Sequence, residues 1–317
     1  MKKITIFDTS ILSENIGDFI IMDSVERELN KLFSRDMIFK SITHDKVDKI
    51  TYRLNKISDY SFIGGTNLLS SNMNRYNQWK INLIDSFFLK SIILMGVGWW
   101  QYQKKPNFYT KYLLKSVLHS EILHAVRDSY TEQMLKSLGI HNVINTGCMT
   151  MWTLTNEHCK NIIQTKAENI VFTLTDYSKD IINDQKLINM LLQNYKKVYF
   201  WPQGSGDLQY LNTLENIHNI EVIGANLFSY DKLLEDTNID LDFIGTRLHA
   251  GIRAIQKERR TIIIGIDNRA EEKSKDFNLK VISRNKIEQV EELLKVKFAT
   301  DIRINEKNIN KWRSQFR

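Results

Sequence analysis

Two α/β domains facing a cleft, each a parallel sheet with helices on both faces, are the fold class that the sequence predicts. Three observations predict it. Strand-length apolar runs alternate with amphipathic helical stretches, glycines and charged residues recur where those runs end, and 317 residues suit two cores of ordinary size. Sheets of this kind bind ligands at the carboxyl ends of their strands, so the cleft is the expected site.

The elements follow in chain order. KKITIFDTS alternates apolar and polar positions and ends in small polar residues, as a strand does; SENIGDFIIMDSVERELNKLF continues as loop and helix. SITHDKVDKITYRLNK supplies the next candidate element. In YSFIGGTNLL a short buried-strand run stops at Gly64 and Gly65, where a phosphate-sized gap is expected. SFFLKSIILMGVGWW reads as a helix or strand feeding a core strand that stops at Gly96 and Gly98. After the patterned YTKYLLKSVLHS, EILHAVRD reads as a strand, SYTEQMLKSLG as a helix with Gly139 at its C-cap, and NVINTG as the strand closing this half.

The second half repeats the alternation: strands in NIVFTLTDYS, KKVYFWPQGSGD, IEVIGA, DLDFIGT and RTIIIGID are separated by helical DQKLINMLLQNY, LQYLNTLENIHN, SYDKLLEDTN and RLHAGIRAIQ. Polar TNEHCKNIIQTKAEN breaks the pattern around residues 155 to 168, which sets the expected domains at 1–160 and 161–317. The last segment, EKNINKWRSQFR, is short, basic and weakly amphipathic, and reads either as a helix packing back on the body or as a frayed tail.

Composition narrows the class of function. The ten-residue apolar run SIILMGVGWW is about half of what a membrane-spanning helix needs. No apolar leader follows Met1, so a cytoplasmic location is expected, extending to peripheral association with the inner face of a membrane. Cys148 and Cys159 lack the spacing of a zinc site or a disulfide framework and are expected to be reduced. His119 and His124 lie about 140° apart on a helix, a poor ligand pair, and no metal is assigned. A net charge of +7 favours anionic partners such as phosphorylated metabolites, lipid-linked pyrophosphates, membranes or nucleic acid. The lysines form no basic stripe, which argues against nucleic acid.

The residues that could carry chemistry lie at predicted strand ends. In FIGTRLHAGIRAI, Arg247 and His249 sit where a strand turns into a helix, so backbone N–H groups, the helix dipole and a guanidinium converge on one anion. A surface cation beside a structural histidine explains the same pair. Arg127 ends the strand of HAVRD, and Asp128 reads as the cap of the next helix. Asn15, Gly17 and Asp18 occupy the first strand-to-helix loop, where glycine permits close approach and Asp18 could accept a sugar hydroxyl proton or simply cap. Gln203 in WPQGSGD, and Asn268 and Arg269 in IDNRAEEKSKDF, occupy comparable positions.

Taken together, NIGD, FIGGTNLL, HAVRDSYTEQMLKSLG, WPQGSGD and above all FIGTRLHAGIRAI followed by IIIGIDNRAEEKSKDF resemble the polysaccharide pyruvyl transferase family, from about residue 8 to about residue 285. The resemblance implies two Rossmann-like domains facing a cleft, similar to the GT-B architecture, with the first domain on the acceptor side. It implies transfer of a pyruvyl group from phosphoenolpyruvate, as co-substrate and with no cofactor, onto two hydroxyls of a glycan or lipid-linked sugar as a cyclic ketal. Arg127, Arg247 and Leu248 would hold the donor, His249 would be the acid or base and Asp18 would serve the acceptor, with Gly17, Gly65, Gln203, Asn268 and Arg269 as further binding residues. A glycosyltransferase of the same two-domain shape, using a nucleotide sugar, is the alternative; no convincing pair of glutamates follows the loop at Gly204 to support it.

Overall fold

Twelve short, strongly apolar strands form two parallel six-stranded sheets in a computed structural model that describes residues 1–317. The first contains β1 (Lys3–Asp8), β2 (Met37–Ile42), β3 (Tyr60–Gly64), β4 (Ile92–Val97), β5 (His124–Val126) and β6 (Val143–Asn145), in the order β2-β1-β3-β4-β5-β6. Its connecting helices are α1 (Ile16–Leu32), α2 (Lys49–Ile57), α3 (Asp85–Phe88), α4 (Phe108–Val117) and α5 (Ser129–Ser137). Helix α6 (Asn156–Lys160) leads to the second sheet, in which β7 (Asn169–Thr173), α7 (Ile181–Asn194), β8 (Lys197–Phe200), α8 (Asp207–Leu211), β9 (Ile220–Val222), α9 (Leu227–Glu235), β10 (Leu241–Gly245), α10 (Leu248–Gln256), β11 (Thr261–Gly265), α11 (Asn268–Phe277), β12 (Val281–Ser283) and α12 (Glu288–Lys295) alternate. A last helix, α13 (Glu306–Ser314), completes the chain.

The second sheet runs β12-β11-β10-β7-β8-β9, the doubly wound order in which the chain starts in the middle and works outward both ways. Its switch point therefore lies between β7 and β10, which pair in register from Leu241 opposite Asn169 to Gly245 opposite Thr173. In the first sheet the corresponding reversal lies between β1 and β3. The central strands are buried on both faces, which is why runs such as IILMGV carry no polar alternation.

The chain divides into one unit of Met1–Ser13, Ile21–Trp152 and Ile304–Arg317, and a second of Glu14–Ile20 and Thr153–Arg303. This differs from the expected limit at 160/161 in three ways, the first being that the break between the units falls at 152/153. The NIGD loop and the first turn of α1 belong to the second unit, because the Ile16 N–H donates to the Gln203 carbonyl at 2.9 Å and Asn15 bridges Gly204. The C-terminal segment belongs to the first unit: Trp312 is fully buried against Phe62 and Trp152, and Arg313 pairs with Glu28 through both Nε and Nη2. Of the two readings of EKNINKWRSQFR, the packed helix holds.

Local signals read from the sequence reappear as contacts. Asp128 caps α5 by accepting from the Thr131 N–H at 2.8 Å, and Gly139 follows that helix with φ of +80°, a conformation that a side chain would strain. Trp99 and Trp152 are buried in packing, whereas Trp100 is partly exposed and rests on Tyr76 at 4.1 Å.

His124 carries a pH-dependent load on the first unit. Its Nδ1 accepts from the Leu94 N–H at 3.2 Å and its Nε2 lies 2.9 Å from the His119 carbonyl, so both ring nitrogens are committed to backbone and the ring is the neutral Nε2–H tautomer. Burial pushes its pKa down to about 4. An unfolded histidine titrates near 6.5, so as pH falls from there towards 4 the unfolded chain takes up a proton that the folded chain refuses, and stability declines through that window. Urea unfolding of wild type should lose about 2–3 kcal/mol more than His124→Gln between neutral and mildly acid pH. Parallel pH profiles would show that His124 does not carry this load.

Candidate functional site

The carboxyl ends of β7, β8 and β10 bring together three segments that are far apart in sequence. Strand β10 ends at Gly245, and its close neighbour explains the glycine: a Cβ there would lie 2.3 Å from Thr173 Oγ1. The Arg247 N–H then donates to that Thr173 hydroxyl at 3.2 Å, and Thr246 and Thr175 share a hydroxyl hydrogen bond of 2.8 Å. These ties fix the turn that carries Arg247 into α10.

Arg247 is buried and not a free surface cation. Its Nε donates to Asp207 Oδ2 at 2.9 Å and to the Leu174 carbonyl at 3.2 Å, while Nη2 binds Asp176 Oδ1 at 2.8 Å and Asp207 Oδ1. The guanidinium lies over the Tyr177 ring at 5.1 Å. Two carboxylates thus more than balance one cation, and Nη1 is the part of the fork that no carboxylate takes. Gly204 makes room for this: a Cβ would sit 2.1 Å from Arg247 Nη2.

Asp207, fully buried, is the hub. Besides Arg247 it accepts from the Gln203 N–H at 3.1 Å, the Gly204 N–H at 2.8 Å and the Asp176 N–H at 3.1 Å, closing the WPQGSGD loop onto the end of β7. The Gln203 side chain reaches the NIGD loop, donating from Nε2 to Asn15 Oδ1 at 2.7 Å, and its Oε1 is buried without a protein partner. Gly17 lies beneath it, since a Cβ there would meet Gln203 Nε2 at 2.8 Å. Asp18, also buried, stands in the first turn of α1 with its N–H on the Asn15 carbonyl at 3.0 Å.

Leu248 and His249 open α10 and are both buried. No side chain caps this helix, in contrast to α7, α9 and α11, which Asp180, Asn226 and Asp267 cap. The N–H groups and the positive dipole end at a helix start of this kind favour an anion. Arg269, next to Asn268 at the start of α11, pairs with Asp267 and donates from Nη2 to the Tyr177 hydroxyl at 2.6 Å, so Tyr177 links Arg247 to Arg269.

The second unit therefore unites Gly17, Asp18, Gln203, Arg247, Leu248, His249, Asn268 and Arg269. Arg127 and Gly65 belong to the first unit. Arg127 is held like Arg247: Nε donates to Asp128 Oδ2 at 2.8 Å, Nη2 to the Trp99 carbonyl at 3.0 Å and Nη1 to Asn67. It lies against Gly98, where a Cβ would fall 2.1 Å from its Nε. Gly65 directly follows β3. A Cβ there would lie 2.0 Å from the Gly96 carbonyl oxygen, and the Gly65 N–H donates to Met95 at 2.9 Å, so this glycine serves the close approach of backbone to backbone.

Asp176 and Tyr177 were not singled out from the sequence. Their signal is present in TLTDYS, an acidic and an aromatic residue directly after an apolar strand, the same kind of position that marks Arg247. Arg253, which shares a helix face with His249, turns instead to Asp231 and makes a two-pronged ion pair at 2.7 and 2.6 Å.

The sequence profile of the polysaccharide pyruvyl transferases, described as "Polysaccharide pyruvyl transferase", matches residues 15–268, from the NIGD loop to the start of α11. No curated protein matches the chain. Among solved structures, it is similar to the UDP-GlcNAc 2-epimerase of Methanocaldococcus jannaschii in complex with UDP-GlcNAc and UDP, with TM-score 0.56, 14% identity and 98% of each chain covered. It is also similar to the UDP-GlcNAc 2-epimerase of Neisseria meningitidis bound to UDP-GlcNAc, with TM-score 0.51, 13% identity, and 99% of this chain and 98% of the other covered. At these identities the likeness is one of fold, two Rossmann-like domains of the GT-B kind.

Proposed function

Because the chain belongs to the polysaccharide pyruvyl transferase family, we propose that it moves a pyruvyl group from phosphoenolpyruvate onto two hydroxyls of a sugar in a cell-surface polysaccharide or its precursor. The observation that supports this reading most directly is the uncapped start of α10 beside the unclaimed Nη1 of Arg247, an anion site at the switch point of the second sheet. The donor presents a phosphate and a carboxylate to such a site.

In the proposed reaction His249 gives a proton to the donor's methylene carbon, leaving positive charge shared between C2 and its oxygen. One sugar hydroxyl adds to C2 and releases its proton. The bond from C2 to the phosphate oxygen then breaks, inorganic phosphate leaves, and the second hydroxyl adds to C2 and gives up its proton to close the ketal. Asp18 takes or orients an acceptor proton, and the Oε1 of Gln203 offers a buried acceptor for a substrate hydroxyl. Arg247 contributes a positioned cation whose own charge is held in place by Asp207 and Asp176.

The test is phosphate release from phosphoenolpyruvate with and without a panel of glycans and lipid-linked sugars, with mass spectrometry of the acceptors. Acceptor-dependent release with a pyruvyl adduct is expected, and Arg247→Ala and Arg127→Ala should weaken donor binding. Unaltered donor affinity in both variants would place the anion site elsewhere. A nucleotide-sugar arm with UDP-GlcNAc tests the GT-B glycosyltransferase alternative; nucleotide release with no response to phosphoenolpyruvate would replace the pyruvyl reading.

A further inference from the structure

We propose that the face of the first unit formed by α2 and α3 docks on an anionic phospholipid surface. A cavity of about 710 Å³ opens there, lined among others by Tyr52, Arg53, Lys56, Phe87, Phe88 and Lys90. Tyr60 and Ser61 begin β3 and Ser91 immediately precedes β4, so the cavity sits at the amino ends of the strands. Arg127 follows the carboxyl end of β5 in the same sheet. The donor chemistry proposed above leaves this cavity unexplained.

Large apolar side chains project from this face. Ile50 on α2 is 67% exposed, Ile84 before α3 is 68% exposed and Phe87 is 71% exposed. They are not on a loose segment. Phe88 stacks on Tyr52 at 4.8 Å, and the Tyr52 hydroxyl donates to Asp85 Oδ1 at 2.6 Å, which fastens α3 to α2. Phe87 and Ile84 are thereby presented outward on a fixed support.

The charges that line the cavity are mainly cationic, with Arg53, Lys56 and Lys90 against Asp59 as the one carboxylate. Arg53 and Lys56 make no ion pair, unlike Lys136, Lys186 and Lys196, which pair with Glu132, Glu288 and Glu168. The nearby carboxylates are committed: Asp48 accepts from the Thr51 N–H at 2.9 Å and Asp59 from the Lys3 N–H at 2.7 Å. Exposed apolar side chains beside an excess of cations match a layer with phosphate at its surface and hydrocarbon beneath. A second copy of the chain fits poorly, since a two-fold contact would set this positive face against itself.

The experiment is sedimentation of the full chain with vesicles of phosphatidylcholine alone and of phosphatidylcholine mixed with phosphatidylglycerol. Binding to the anionic vesicles is expected, with loss of roughly tenfold or more in Ile84→Ser/Phe87→Ser and, in a salt-dependent way, in Arg53→Glu/Lys56→Glu. All four side chains are exposed, so folding is checked by an unchanged thermal melt. Equal binding to neutral vesicles, no binding, or binding that survives both double variants would overturn the proposal. So would a dimer in sedimentation velocity that only Ile84→Ser/Phe87→Ser dissolves. Phosphoenolpyruvate turnover with a soluble acceptor should be the same in these variants, which separates failure here from failure of the donor reading.

Discussion

Asp207→Ala is expected to destabilise the second unit by about 3–5 kcal/mol, the range for breaking a buried ion pair from one side. Asp207 is fully buried and serves Arg247 through both oxygens as well as the backbone N–H groups of Gln203, Gly204 and Asp176. Truncation leaves the guanidinium buried with Asp176 as its remaining carboxylate, and three amide donors lose their acceptor. Urea unfolding reads the loss. Removing both partners in Asp207→Ala/Arg247→Met should recover part of it, because the stranded charge goes with the second change. A single variant within about 0.5 kcal/mol of wild type would mean that the cluster is not what holds these loops.

The second large effect is on turnover. His249→Gln should lower kcat by about 10²–10⁴-fold if the imidazole transfers the proton to the donor carbon. The split between kcat and KM separates roles. An acid or base acts in the transition state, so kcat and kcat/KM fall together, whereas a donor ligand would show itself mainly as a raised KM. His249 is buried in the first turn of α10, so the variant's thermal melt must match wild type before its kinetics are read. Wild-type turnover in a folded variant would remove this histidine from the mechanism.

Arg247 changes meaning between sequence and structure. Read along the chain it is a cation at a helix start, available to any anion. In the fold it is a cation already held by two aspartates and set against a glycine, and Nη1 is the part of its fork that no aspartate takes. Arg127 has the same construction with Asp128, Asn67 and Gly98. Such arginines are rigid, and rigidity is what a site gains when it must hold an anion in one orientation.

The alternation of strand and helix, the cap at Asp128, the glycine after α5 and the position of TRLH behind a strand were all legible in the residues. Each depends on neighbours within about four positions, through side-chain period, capping geometry or the freedom of glycine. Asp176 and Asp207 as the partners of Arg247, the NIGD loop's place beside Gln203, the return of α13 to the first unit and the close approach of backbone at Gly65 had no such local mark. Those features follow from strand order: β7 lies beside β10 and β3 beside β4 only once whole apolar faces have been buried together. Chain-distant groups become neighbours through that collective choice, and no window of the sequence contains it.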